Sequence, residues 1–150
     1  KMTKMDVAQA VLEARQMLEC IKPPNTRINI EVEAGLVING DATQVQQVMI
    51  NLGTNAFRAM PRGGEVEIRA YFESGHACVT VRDTGCGIPQ SMRQQIFEPF
   101  FTTHGETGGS GLGLATVRSI VNAHGGLIGL DSTPGQGSTF MVTFPLCEPA

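Results

Sequence analysis

The chain of 150 residues is 41% hydrophobic and 17% charged, which supplies the core of one domain and is too apolar for a disordered tail. A net charge of −3 argues against a general nucleic-acid surface, which needs clustered Lys and Arg, and no apolar run approaches the ~18 residues of a membrane span. Cys20, Cys78, Cys86 and Cys147 form no CxxC pair, which speaks against a zinc site and suits a reducing cytosol.

Asp6 is placed to cap a helix whose apolar positions Val7, Val11, Ala14, Leu18 and Ile21 recur at helical spacing. Pro23-Pro24-Asn25 ends it. Ile28, Ile30 and Val32 alternate with Arg27, Asn29, Glu31 and Glu33, the pattern of a half-buried strand. Asp41 opens a second helix, with Gln44 as its capping-box partner, running to about Met60 before Pro61-Arg62-Gly63-Gly64. Residues 65–73 and 76–82 both alternate and are joined by Ser74-Gly75 as a tight hairpin. The loop Asp83-Thr84-Gly85-Cys86-Gly87-Ile88-Pro89 precedes a short helix over about 90–97. A glycine-rich stretch then leads into a helix over about 112–123, ended by His124-Gly125-Gly126. Two strands, near 127–132 and 138–144, flank Pro134-Gly135-Gln136-Gly137. Hairpin-joined strands predict a mixed, largely antiparallel sheet, and the amphipathic helices must cover one of its faces. The fold class is therefore α+β, a two-layer sandwich and not a doubly wound parallel sheet. Opening directly in a helical pattern at Lys1, the chain is expected to be one domain, residues 1–150, of a longer protein.

Three segments carry candidate chemistry. The second helix sets Gln44, Gln47, Asn51, Asn55 and Arg58 beside its apolar stripe. Asn51 and Asn55 lie one turn apart on one face, where amide oxygens can ligate Mg²⁺ and Arg58 can pair with phosphate. A solvated helix face is the plainer alternative. In the second segment, Asp83 leaves a strand end into a turn whose glycines, Gly85 and Gly87, permit positive φ or close backbone approach. A carboxylate there can accept a hydrogen bond from an amine, or merely cap the turn. The third segment, residues 105–114, packs five glycines into nine residues before a helix. Bare N–H groups at a helix N-terminus favour anions, so it reads as a phosphate cradle or as a plain flexible loop. Neither the P-loop pattern nor a GxGxxG dinucleotide fingerprint is present.

In order along the chain stand Asn51-Leu-x-x-Asn55-Ala56, Asp83-x-Gly85-x-Gly87-Ile88, Phe97-Glu98-Pro99-Phe100-Phe101 and Gly109-x-Gly111-Leu112-Gly113-Leu114. This series closely resembles the N, G1, F and G2 boxes of the catalytic ATP-binding domain of bacterial sensor histidine kinases, over about Asp6 to Pro145. Residues 51–64 and 97–103 look most like the nitrogen-regulation and oxygen-sensing branch. The resemblance implies the Bergerat ATP-binding fold and a set of roles. Asp83 would accept the adenine amino hydrogen. Gly87 and Ile88 would line the base pocket, after Gly85, and Thr139 would reach the same edge. Asn55 would bind Mg²⁺, with Asn51 and Arg58 near the phosphates as the catalytic set. Gly109, Gly111, Leu112 and Gly113 would cradle the phosphates, and Phe97, Phe100 and Phe101 would anchor a lid that is mobile before nucleotide arrives. His104 departs from the Lys often found after Thr102-Thr103.

The resemblance further implies a kinase that takes the γ-phosphate of MgATP to a histidine. The acceptor lies on a separate phosphoacceptor helical hairpin, in a parent protein expected to be a homodimer. The downstream partner is a response-regulator receiver domain, with no nucleic acid, and the location is cytoplasmic. His76, His104 and His124 all sit outside the acceptor motif, so the chain alone is not expected to phosphorylate itself. Two other functions remain open. ATPase or serine-kinase relatives of the superfamily carry a Glu general base where Asn51 stands, and an amide cannot take that proton. A non-catalytic nucleotide-binding adaptor is the other.

Overall fold

A computed structural model describes residues 1–93, 95–97 and 113–147. A five-stranded sheet is backed on one face by three helices, and a two-stranded ribbon sits beside it. The ribbon pairs β1 (Thr3–Asp6) with β3 (Val37–Gly40), antiparallel. The main sheet contains β2 (Thr26–Val32), β4 (Gly64–Glu73), β5 (His76–Asp83), β6 (Leu127–Thr133) and β7 (Gly137–Pro145), in the order β2-β4-β5-β7-β6. Only β2 and β4 run parallel; the other neighbours are antiparallel. The mixed α+β sandwich read from the sequence is the architecture observed.

The helices are α1 (Val7–Ile21), α2 (Ala42–Arg58) and α3 (Gly113–Ala123). Asp6 caps α1 by accepting the Ala8 N–H at 2.9 Å, and its second oxygen takes the Gly35 N–H at 3.1 Å. Asp41 caps α2 through the Gln44 N–H at 3.2 Å. The reciprocal half of the expected capping box is replaced. The Asp41 N–H donates to Nε2 of His124 at 3.1 Å, so a residue 83 positions away does what Gln44 was expected to do.

Strand alternation builds the core. Val66, Ile68 and Ala70 of β4, Ala77, Val79 and Val81 of β5, and Phe140, Val142 and Phe144 of β7 are all buried. The register stacks them in rows, such as Ile30, Ile68, Val81, Phe140 and Leu130. They meet Val11, Ala14 and Leu18 of α1, Val45, Val48, Met49 and Leu52 of α2, and Val117 and Val121 of α3. Burying each Val, Leu or Phe is worth roughly 1.5–3 kcal/mol. The hairpin between β4 and β5 turns on Ser74 (φ 51°) and Gly75 (φ 79°), both left-handed as a two-residue turn of that hand requires.

Three expectations need correction. The chain does not open in a helix at Lys1: Thr3–Asp6 form β1, and β1 and β3, four residues each, pair although neither has the run of alternating residues that announces a strand. The helix expected over 90–97 is two 3₁₀ turns, Gln90–Met92 and Gln95–Phe97, because a segment this short cannot recover the cost of α-nucleation. The second helix ends at Arg58, and Ala59 and Met60 form its closing turn.

Candidate functional site

Asp83 is the last residue of β5 and is only 2% exposed. Register places it opposite Val66 and Ser138, on the sheet face that the helices cover. Its Oδ1 accepts the Gly85 N–H at 2.9 Å. Burial pushes its pKa up, and backbone N–H groups of Gly85 and Ser138 pull it part of the way back. None of the ion pairs among the described residues involves it. A buried carboxylate without a cation is matched by neutral donors, of which an amino group is one.

The loop after Asp83 is wedged between two walls. On one side Cys86 N–H donates to the Ala59 carbonyl at 3.2 Å, just past the end of α2. A Cβ on Gly85 would run into that same carbonyl. On the other side Cys86 C=O accepts the Gly135 N–H at 2.7 Å, and Gly87 has φ 75° with the Thr133 carbonyl where a Cβ would stand. These two glycines are required by close approach and, at 87, by left-handed backbone. Ile88 is half-buried against the core, and its N–H donates to Ser132 Oγ at 2.7 Å.

One expected residue faces the wrong way. Thr139 pairs with Arg82 and Asp131, on the sheet face away from the helices. Strand alternation gives the place beside Asp83 to Ser138 instead, and Ser138 is buried. Ser138 Oγ lies 2.8 Å from Ser132 Oγ, which also stands 3.2 Å from the Gly137 carbonyl. The sequence held the signal for both serines: they occupy the core phase of strands whose other core positions are Phe140, Val142, Ile128 and Leu130.

Asn51 Nδ2 donates to the Gly113 carbonyl at 3.1 Å, and its Oδ1 accepts Gln47 Nε2 at 2.6 Å. The amide thus ties the middle of α2 to the first turn of α3. Asn55, one turn along, is half-buried, and no side-chain hydrogen bond holds it among the described residues. Arg58 is exposed and in no ion pair among the described residues. From Asn51 to Ala59, which touches the Asp83 loop, is eight residues, or about 12 Å of helix. The stripe therefore links the Asp83 corner to the start of α3. Phe97 meets Phe140 edge-on, ring centroids 6.1 Å apart, which fixes the chain where it leaves the second 3₁₀ turn. Gly113 opens α3, and a Cβ added there would meet nothing within 4 Å among the described residues. Gly109, Gly111 and Leu112, with Phe100, Phe101 and His104, lie outside the described residues.

Residues 40–148 match the family described as histidine kinase-, DNA gyrase B-, and HSP90-like ATPase. The chain belongs to this family. Family members bind ATP, so the ligand of this ATPase-type domain is a nucleotide. It is 41% identical over 118 residues to sporulation kinase C of Bacillus subtilis (strain 168), an alignment covering 79% of this chain. It is 39% identical over 110 residues, 73% of this chain, to the signal transduction histidine-protein kinase AtoS of Escherichia coli (strain K12). It spans 27% of the first protein's length and 18% of the second's. The fold superimposes on the mycobacterial sensor histidine kinase MprB with a TM-score of 0.86 at 27% identity, covering 97% of this chain and 98% of that one. For a nucleotide-free catalytic domain of histidine kinase ThkA the TM-score is 0.85 at 31% identity, with 97% and 96% covered.

Proposed function

We propose that this domain is the ATP-binding catalytic unit of a sensor histidine kinase, which passes the γ-phosphate of MgATP to a histidine on the parent's phosphoacceptor helical hairpin. Asp83 carries the reading: a buried, cation-free carboxylate suited to a neutral amine, beside a loop pinned on both flanks. Adenine supplies that amine. Asp83 accepts its hydrogen, Ile88 covers the ring, and the Asn51–Asn55–Arg58 face runs from there toward the start of α3, where phosphates belong.

The residues on that face suit magnesium. Asn55 offers a half-buried amide oxygen without a competing side-chain bond among the described residues, and Mg²⁺ is commonly held by few protein oxygens together with substrate phosphates and waters. Bound there, it neutralises charge on the phosphate oxygens. Arg58 adds a flexible cation at the same end. Asn51 favours transfer over hydrolysis. Its amide is spent on Gln47 and Gly113, and it has no carboxylate to activate water.

The acceptor is external. His124 is buried, with Nδ1 on the Ile120 carbonyl at 2.8 Å and Nε2 on the Asp41 N–H. His76 sits at the β4–β5 hairpin, Nδ1 against the Ser74 carbonyl at 2.9 Å. The parent is read as a homodimer that hands phosphate on to a response-regulator receiver. A cytoplasmic location is supported by four free cysteines, which suit a reducing compartment. With γ-labelled ATP, the domain alone stays unlabelled, and adding the parent's hairpin puts acid-labile label on the hairpin. Labelling of the domain alone, or ATP hydrolysis with no transfer, refutes this reading.

A further inference from the structure

We propose that Ser132 is a positioning residue for base selection. Its single hydroxyl proton fixes whether Ser138 presents a donor or an acceptor beside Asp83. The proposal rests on the nucleotide reading above.

Ser132 is 4% exposed on β6, the edge strand, yet it bonds to the loop after Asp83, to Arg93 and to the start of β7. Its Oγ accepts the Ile88 N–H at 2.7 Å, which holds the loop after Asp83. Its carbonyl accepts from the Arg93 guanidinium, which fixes the backbone of β6 at this residue. Its Oγ also faces Ser138 Oγ at 2.8 Å and the Gly137 carbonyl at 3.2 Å.

A serine hydroxyl has one proton and two lone pairs. Ile88 occupies one lone pair, so the proton goes either to Gly137 or to Ser138. If Gly137 takes it, Ser138 must donate to Ser132 and shows only lone pairs to the pocket. If Ser138 takes it, the Ser138 proton is free to point outward, next to Asp83. The Gly137 contact is longer than the usual 2.5–3.0 Å of O–H···O bonds, whereas 2.8 Å is typical. The relay therefore runs from Ile88 N–H to Ser132 to Ser138 and ends in a donor.

An acceptor at Asp83 beside a donor at Ser138 is the complement of adenine's edge, where an amine donor neighbours a ring-nitrogen acceptor. Hypoxanthine reverses both: a carbonyl oxygen replaces the amine, and the ring nitrogen carries a proton. Without Ser132, the Ser138 hydroxyl turns freely and the Ile88 N–H loses its partner, so adenine loses its advantage at that edge.

The test is calorimetric titration of the whole chain with ATP and with ITP, the latter by competition, on wild type, Ser132→Ala, Ser138→Ala and the double variant. Ser132→Ala weakens ATP by about tenfold, one hydrogen bond's worth, and ITP much less, so the ATP-to-ITP preference falls. The double variant has the same ATP-to-ITP preference as Ser138→Ala, because the preference acts through one group. Ser132→Cys, close in shape with a weaker donor and acceptor, loses the same preference and carries the test if the alanine variant does not fold. Equal losses for both nucleotides, unchanged binding, or additive effects overturn the proposal. A wild-type chain that binds neither nucleotide refutes the nucleotide reading itself.

Discussion

Replacing Asp83 by Asn keeps the side chain's shape and the oxygen that accepts the Gly85 N–H, but removes its charge. Two effects of opposite sign follow. A hydrogen bond to a charged acceptor is worth about 1.5–3 kcal/mol, so losing the charge weakens adenine binding by at least about tenfold. Stability of the empty domain moves the other way. Burial raises the folded-state pKa of Asp83 above its unfolded value. A group raised in this way contributes stability that is complete below the unfolded pKa and is lost as pH rises through the folded pKa. Where the carboxylate is ionised it is thus held so at a cost, and the amide is not. The Asn variant without nucleotide should therefore melt at or above the wild-type temperature at pH 7, with any gap closing toward pH 4. Thermal unfolding at the two pH values, paired with ADP titration, checks both halves. An Asn variant that melts well below wild type at pH 7, or that keeps wild-type ADP affinity, refutes the reasoning.

Gly87→Ala forces a side chain into left-handed backbone, about 1–2 kcal/mol by itself, and into the Thr133 carbonyl. ADP affinity should fall at least about tenfold, because the loop is displaced from Asp83, and titration reads the loss directly. His124→Ala leaves the Asp41 N–H unpaired and removes an edge-on contact with Phe144 at 5.7 Å. Urea unfolding should show about 1–3 kcal/mol of lost stability, while ADP affinity stays as in wild type.

Local patterns announced the elements that bury an alternating or helical face. α1, α2, the β4–β5 hairpin and the last two strands appear within a residue or two of where Val, Ile and Leu spacing placed them. β1 and β3 were illegible because neither carries a pattern of its own; β1 pairs with β3, and β3 also meets residues 146 and 147. The site divides along the same line. Asp83, Gly85 and Gly87 announce themselves, since a carboxylate between a strand and two glycines has few local explanations. Thr139 and Ser138 differ only in strand phase, and counting back from Phe140 separates them: even-numbered positions face the helices. Gln44 and His124 show what a single segment cannot reveal. The cap was predictable from Asp41, but the group that satisfies the Asp41 N–H arrives from another helix. Asn51 was legible as a polar face, whereas its hold on Gly113 depends on where α3 packs.

The two contacts between α2 and α3 act together as a gauge. Asn51 grips Gly113 and Asp41 grips His124, so a span of ten residue steps along one helix is matched against eleven along the other, running in opposite directions. Either bond alone would let α3 pivot; both together set its length and its rotation. Removing one residue from α3 would turn the far end by about 100° and shorten it by about 1.5 Å, so only one of the two grips survives. The helix is thereby a strut of fixed measure. Its first residue, Gly113, is tied by Asn51 to the helix whose closing turn, at Ala59, meets the loop after Asp83.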